Sequence, residues 1–370
     1  MDSNWRNFDL PAWLATLVLM ILGGVLIYSA YEASQPAHAL IENLVFRQGL
    51  FALGGMVLYF LAAALDYHLF IRLHRWLYLF IIVILLVTLA LGQIFFGARS
   101  WFEVHAFTIQ PSELCKVLMI VVLAKYLGDE KADLESPGPL LTTLLLVLPP
   151  AVLIYLQSDF GTALILVAIW LGMCFLAGVR WRHMALLAGA GIVAVPLIWF
   201  RLKGYMRDRI LMFLFPGYDP SGASYNINQA LISIGSGGFW GKGLLHGTQS
   251  QLHFLRVRHT DFIFSVLAEE LGFVGAMLLL GLFAFLILRL VRAAGLARDA
   301  YGQLIVGGVA TMVAVQTLIN LGMNANLLPV TGLPLPLVSY GGSSLITTLL
   351  ALGLAQSVIL RHKPATLPLP

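Results

Sequence analysis

Long apolar runs of about 17 to 25 residues, with few or no charges, recur along the chain. They constrain the fold more than any other feature. A helix rises about 1.5 Å per residue, so one such run crosses a hydrocarbon core of roughly 30 Å. Ten runs can be marked, at about 12–31, 47–65, 76–96, 111–127, 139–157, 160–177, 184–201, 262–288, 302–324 and 341–360. Composition agrees with this reading: 59% of the residues are hydrophobic and 11% charged, against about 25% charged in an average soluble domain. The expectation is an all-α polytopic membrane protein, one bundle of about ten transmembrane helices over 1–370, with no soluble domain. The first run is too long for a signal-peptide core and stays as a helix.

Short loops that hold Lys and Arg stay on the cytoplasmic side. With both termini inside, the cytoplasmic connections collect Arg6, Arg72, Arg75, Lys125, Lys131, Arg180, Arg182, Arg289, Arg292, Arg298, Arg361 and Lys363, while the short outside ones hold only Arg47 and Arg99. One long extracytoplasmic connection, 202–261 between the seventh and eighth runs, together with Arg201 at its start, carries seven more basic residues against Asp208, Asp219 and Asp261. Its net positive charge suits an anionic partner. An amphipathic helix is expected within it, near Tyr225 to Ile234. A second irregular stretch, 325–340, is rich in proline and glycine but too apolar for an exposed loop, and reads as a partly re-entrant outside segment. Cys115 and Cys174 lie inside expected spans and form neither a disulfide framework nor a zinc motif.

Ionisable groups within spans mark either function or paired structure. In "IQPSELCKVL", Glu113 and Lys116 follow a helix-starting proline at i, i+3, where they can neutralise each other. In "QSDFGT", Asp159 is placed to cap a helix. Arg47 stands at an outside helix mouth, where it either anchors at the interface or meets a phosphate in bidentate fashion. "IGSGGFWGKGLLHG" combines glycines that allow close backbone approach with the cation Lys242. "SYGGSS" aims backbone N–H groups outward, so Ser339 and Gly341 could hold an anion or simply start a helix. The richest segment is "RHTDFIFSVLAEELG". Asp261, Ser265 and Glu269 recur at i, i+4, i+8 as one polar stripe, while Glu270 points about 100° away. A carboxylate at that mouth, flanked by Arg258 and His259, fits a general base, an N-cap or a transport pathway; spacing does not choose among them.

The string "GKGLLHGTQSQLHFLRVRHTDFIFSVLAEELG" resembles the signature of the SEDS family (shape, elongation, division and sporulation), and its "HGTQSQL" wording resembles the RodA branch. "QPSELCK", "QSDFGT" and "LPVTGLPLPLVSYGGSS" extend the resemblance over essentially the whole chain. It implies a peptidoglycan glycosyltransferase of the bacterial inner membrane that polymerises lipid II during cell elongation. The implied partners are lipid II, a class B penicillin-binding protein and other elongation membrane proteins, with no nucleic acid.

Asp261 matches the aspartate proposed as the family's catalytic base. Glu113, Lys116 and Asp159 match its conserved polar positions, Arg47 more loosely. Lys242, Arg258, His259, Ser339 and Gly341 are then candidates for substrate binding, with Glu269 and Glu270 as supporting carboxylates. The metal site is unknown, and a divalent cation, magnesium or manganese, is the one cofactor considered. Departures from the family wording are Arg256 and Val257 for Pro-Glu, Ser158 for a proline, expected to loosen its turn, and Ser224 for a glycine. Two other classes remain: a lipid II flippase and a non-catalytic scaffold that activates the penicillin-binding protein.

Overall fold

The computed structural model describes residues 5–30, 43–95, 98–104, 107–129, 136–201, 204–215, 224–252, 254–255 and 259–362. Helices α1 (Leu10–Ala30), α2 (Leu44–Ala64), α3 (Tyr67–Arg72), α4 (His74–Leu91), α5 (Pro111–Leu127), α6 (Gly138–Leu156), α7 (Phe160–Leu176) and α8 (Trp181–Arg201) come first. They are followed by α9 (Gly204–Leu214), α10 (Ser224–Ser236), α11 (Thr248–Gln251), α12 (Ile263–Gly295), α13 (Ala300–Asn324) and α14 (Gly342–Leu360). Each of the ten apolar runs falls on a helix, namely α1, α2, α4 to α8 and α12 to α14. Seven of these, α1, α2, α4, α6, α12, α13 and α14, are long and apolar enough to cross a membrane. The chain is a multi-pass, all-α membrane protein.

Local chemistry sets the helix starts. Asn43 accepts from Phe46 N at 2.8 Å, Asp159 from Thr162 N at 3.1 Å and Asp299 from Gly302 N at 2.7 Å. Each satisfies a first-turn donor that has no partner inside its helix. Pro111 opens α5, where its missing N–H costs nothing. Inside the bundle, α5 is buried almost all round, and α13 and α14 are enclosed along most of their length. α14 packs on α2, and α13 on α12, α7 and α5. Outward residues such as Leu53, Leu145 and Leu288 are exposed and apolar, as a lipid-facing surface requires.

Four details differ from the sequence reading. The third run was taken to 96, but α4 ends at Leu91, capped by Gly92. The chain then makes a small antiparallel sheet, β1 (Gln93–Phe95), β2 (Ala98–Val104) and β3 (Phe107–Ile109), in the order β1-β2-β3, with Gln93 opposite Trp101 and Phe102 opposite Ile109. The long connection holds α9 in addition to the expected helix, which is α10. Ser158 is left-handed, at φ 69°. A proline, locked near −65°, could not take that conformation, so the serine permits this turn rather than loosening it.

The fourth difference is in α12, expected over 262–288. It runs to Gly295 and is broken at Gly272, with φ 64° and ψ −162°. An unbroken helix of 33 residues would measure about 50 Å, well beyond a membrane core. The break leaves a buried first piece, 263–271, and a second of about 23 residues that is long enough to span alone. The glycine-rich loop closes the gap. Lys242 N and Gly243 N donate to Glu269 O and Glu270 O, and Phe273 N and Val274 N donate to Gly238 O and Phe239 O. Four backbone groups at the break are thereby satisfied from the loop, as burial demands. A Cβ on Gly241, at φ 81°, would fall 2.1 Å from Glu270 O, and one on Gly272 would fall 2.3 Å from Gly241 N. The two backbones touch only because neither residue has a side chain.

Candidate active site

Asp261 lies in the turn 259–262 immediately before α12, and the rest of that turn is fastened. Tyr340 N donates to His259 O at 2.9 Å, Ser339 Oγ to Thr260 O at 2.5 Å, and Asn320 Nδ2 and Asn324 Nδ2 to Asp261 O at 3.1 and 2.9 Å. Three successive carbonyls are held by α13 and by the segment entering α14. The N-cap reading of Asp261 fails, because the cap position of α12 is Phe262, which makes no side-chain cap bond.

The Asp261 carboxylate is bonded by the Thr260 side chain and faces the Arg209 guanidinium. Gly332, at φ 74°, opens the space between them: a Cβ there would lie 3.8 Å from Asp261 Oδ2 and 3.9 Å from Arg209 Nη1. Arg209, on α9, is itself tied to Val330 O at 3.2 Å. Burial pushes the Asp261 carboxyl up to about 6, against the lowering effects of Arg209 and Thr260. A carboxylate so placed is ionised near neutral pH yet basic enough to take a proton.

The polar residues of α13 connect this turn to the α5 pair. Lys116 Nζ bonds Glu113 Oε1 at 2.9 Å and Gln316 Oε1 at 3.0 Å, with both charged side chains at most 2% exposed. Gln316 Nε2 donates to Pro334 O at 3.1 Å, Asn320 Nδ2 to Leu333 O at 2.7 Å, and Ser265 Oγ to Asn324 Oδ1 at 2.7 Å. Gln316, Asn320 and Asn324 thus form a ladder at i, i+4, i+8 that pins 333–334 and the Asp261 turn to one helix. Neither these amides nor Arg209 was singled out from the sequence. The amides had a usable signal, the same spacing that marked Asp261, Ser265 and Glu269. Nothing in the pattern distinguishes Arg209 from the other six basic residues of its loop.

The other candidates are distributed unevenly around this centre. Asp159 caps α7 and also accepts from Gln110 Nε2 at 2.7 Å and Ser112 Oγ at 3.0 Å, which ties the starts of α5 and α7 together. Burial raises its pKa against bonds from Thr162 and Ser112 that lower it. Lys242, expected to face the substrate, pairs with the buried Glu269 at 2.8 Å, an oxygen shared with Thr248 and Gln249 N. Glu270 accepts from Ser29 Oγ. These two carboxylates serve the seam at the helix break, so the stripe expected from Asp261 to Glu269 divides after Ser265.

Ser339 and Gly341, expected as anion donors, fasten the site instead: Leu335 N donates to Ser339 Oγ at 2.9 Å, and Gly341 N to Gln48 Oε1 at 3.3 Å. Gln48 in turn donates to Ser339 O at 3.2 Å, and Arg47 precedes it on α2. The His259 ring lies edge-on to Tyr340, with centroids 5.8 Å apart. Arg258, Arg256 and Val257 lie outside the described residues.

Fold and site together define a polytopic membrane protein with a carboxylate, Asp261, in a fastened turn at the start of α12. Residues 10–363 match the family model of the FtsW, RodA and SpoVE group, described as cell cycle proteins, and the chain belongs to that family. It is 38% identical over 368 residues to the peptidoglycan glycosyltransferase MrdB of Escherichia coli strain K12, with 98% of each chain covered. Among solved structures it is similar to the Thermus thermophilus rod shape determining protein RodA, at 32% identity and TM-score 0.72, covering 96% of this chain and 98% of that one. A further likeness is to a chain from a structure of polymerization and crosslinking coordinated by a peptidoglycan synthase complex, at 35% identity and TM-score 0.80, covering 95% and 97%. These likenesses bear out the resemblance to the SEDS family and its RodA branch. The activity is that of a glycosyltransferase.

Proposed function

We propose that the chain polymerises lipid II by a single inverting displacement with Asp261 as general base. It is a peptidoglycan glycosyltransferase of cell elongation, and the observation that carries the mechanism is the turn in which three carbonyls are locked while the Asp261 carboxylate faces Arg209 across Gly332. The 4-hydroxyl of an acceptor GlcNAc gives its proton to Asp261 as its oxygen bonds to the anomeric carbon of the donor MurNAc. The bond from that carbon to the diphosphate breaks, and undecaprenyl pyrophosphate leaves with the electron pair. An α donor becomes a β product, and inverting glycosidases use the same base logic with water as the nucleophile.

Arg209, beside Asp261, and Arg47 are the cations assigned to the charge that develops on the diphosphate, the larger electrostatic demand of the transfer. Magnesium commonly binds through one or two carboxylates plus substrate phosphates. Asp261 offers one such ligand, and among the described residues no three His, Cys, Asp or Glu side chains gather as a cage.

With both termini cytoplasmic, this turn faces outward from the bacterial inner membrane, where lipid II presents its sugars. The 325–340 segment reads as partly re-entrant, since Leu333, Leu335, Leu337 and Val338 are buried. Likeness to a chain of a peptidoglycan synthase complex supports a class B penicillin-binding protein as partner. Incubating the purified full-length protein with labelled lipid II in detergent, with and without that partner, tests the reading. A glycan ladder is expected. Translocation in vesicles with no ladder would support a flippase instead, and full complementation of a deletion by Asp261→Asn would support a scaffold.

A further inference from the structure

At the far end of α12 from Asp261, roughly 40 Å along the helix, a cavity of about 220 Å³ opens between the start of α1 and the ends of α12 and α14. Among the described residues, its lining includes three arginines, Arg6, Arg289 and Arg292, with His362 and a single carboxylate, Asp9. Asp9 is already engaged twice. It caps α1 through Ala12 N at 3.1 Å, and it takes Arg289 in bidentate fashion at 2.7 and 3.2 Å. This fork holds Arg289 in place and leaves the cavity with an excess of positive charge. His362 is oriented by Nδ1 against Ile359 O at 2.6 Å.

The surroundings place this cavity at the boundary of the bilayer. Trp5, beside Arg6, is 47% exposed, and an exposed indole there suits the interfacial zone. On the membrane side of the cations, α1 presents Leu10 and Leu14 and α12 presents Leu288 and Val291, all exposed and apolar. A ligand that fits must therefore offer an anionic head to the arginines and an apolar tail to the helix wall. We infer that this cavity binds the phosphodiester headgroup of an anionic phospholipid, with its acyl chains lying along α1 and α12. Basic pockets between transmembrane helices hold such headgroups, and guanidinium groups match phosphate oxygens in bidentate geometry.

The test uses delipidated full-length protein in detergent and native mass spectrometry, with phosphatidylglycerol and phosphatidylcholine of identical acyl chains as probes. Wild type should retain the anionic lipid preferentially. Arg6→Gln with Arg292→Gln should reduce that preference by roughly 25-fold, at about fivefold for each cation near an anionic lipid. Both residues are exposed, so the fold is spared, and the Asp9–Arg289 fork stays intact. Arg75→Gln, an exposed arginine elsewhere, should leave the preference unchanged. Equal retention of the two lipids by wild type, or an equal loss in Arg75→Gln, would overturn the proposal. Displacement of the bound lipid by millimolar inorganic phosphate would also overturn it, in favour of a soluble anion.

Discussion

Glu113 and Lys116 meet at 2.9 Å with at most 2% of either side chain exposed, and Gln316 and Thr347 add further bonds. Asp261 also has a cation beside it, but among the described residues its carboxylate bonds only Thr260, while its carbonyl is held by Asn320 and Asn324. One ladder of amides on α13 serves both places. At the first it completes a closed ion pair; at the second it immobilises the peptide and leaves the carboxylate available. Chemistry is expected where the acceptor is left over, and structural cost where it is consumed.

Breaking the closed pair is the largest perturbation. Lys116→Met leaves the Glu113 carboxylate buried without its counter-charge, which costs about 3–5 kcal/mol. The melting temperature of the detergent-solubilised protein should fall sharply. Adding Glu113→Gln should recover much of the loss, and a double variant no better than Lys116→Met would mean that the two residues do not act as a pair.

Next comes the seam at the helix break. Gly241→Ala puts a Cβ at 2.1 Å from Glu270 O in a left-handed backbone, a strain of about 1–3 kcal/mol. Thermal stability should drop, and hydrogen exchange should speed up at Phe273 and Val274. Unchanged protection at those amides would separate the loop from the break.

The ladder itself gives a smaller effect with a sharper meaning. Asn320→Leu strips one of the two bonds to Asp261 O and the bond to Leu333 O, at about 1–3 kcal/mol for the buried carbonyl left unsatisfied. Because the turn is positioned rather than charged by Asn320, kcat should fall more than KM rises. A change confined to stability would make the ladder a fastener only.

The smallest shift expected is in pH dependence, where Arg209→Gln removes a cation that holds the Asp261 pKa down. The acidic limb of kcat/KM should move to higher pH, and an unmoved limb would detach Arg209 from Asp261.

The apolar helices could be located from the sequence because the bilayer imposes a length and an apolar content that no other element shares. Asp159 as a cap and Glu113 with Lys116 as a pair were equally legible, since both contacts lie within four residues. The strands β1 and β3 have only three residues each, too few to show a period. The glycines of 235–243 announced a close approach without saying to what, because their partner is a break some 30 residues later. Ser339, Gly341 and Lys242 carried the right groups for an anion, yet their protein partners come from other parts of the chain, a pairing that local spacing cannot reveal.

The central claim is that Asp261 takes the proton, and the pH dependence of polymerisation from purified lipid II tests it most directly. Ionised Asp261 is the active form and its pKa is about 6, so wild-type kcat/KM should rise through pH 6 and level off above it. The same upward shift from 3.8 favours the protonated fold, so the stability it contributes is lost as pH rises through about 6. Asp261→Asn, folded and inserted, should lose the limb and fall by roughly 10²–10⁴-fold, the usual worth of a general base. A variant that keeps the limb near pH 6 or polymerises at close to the wild-type rate would contradict the account.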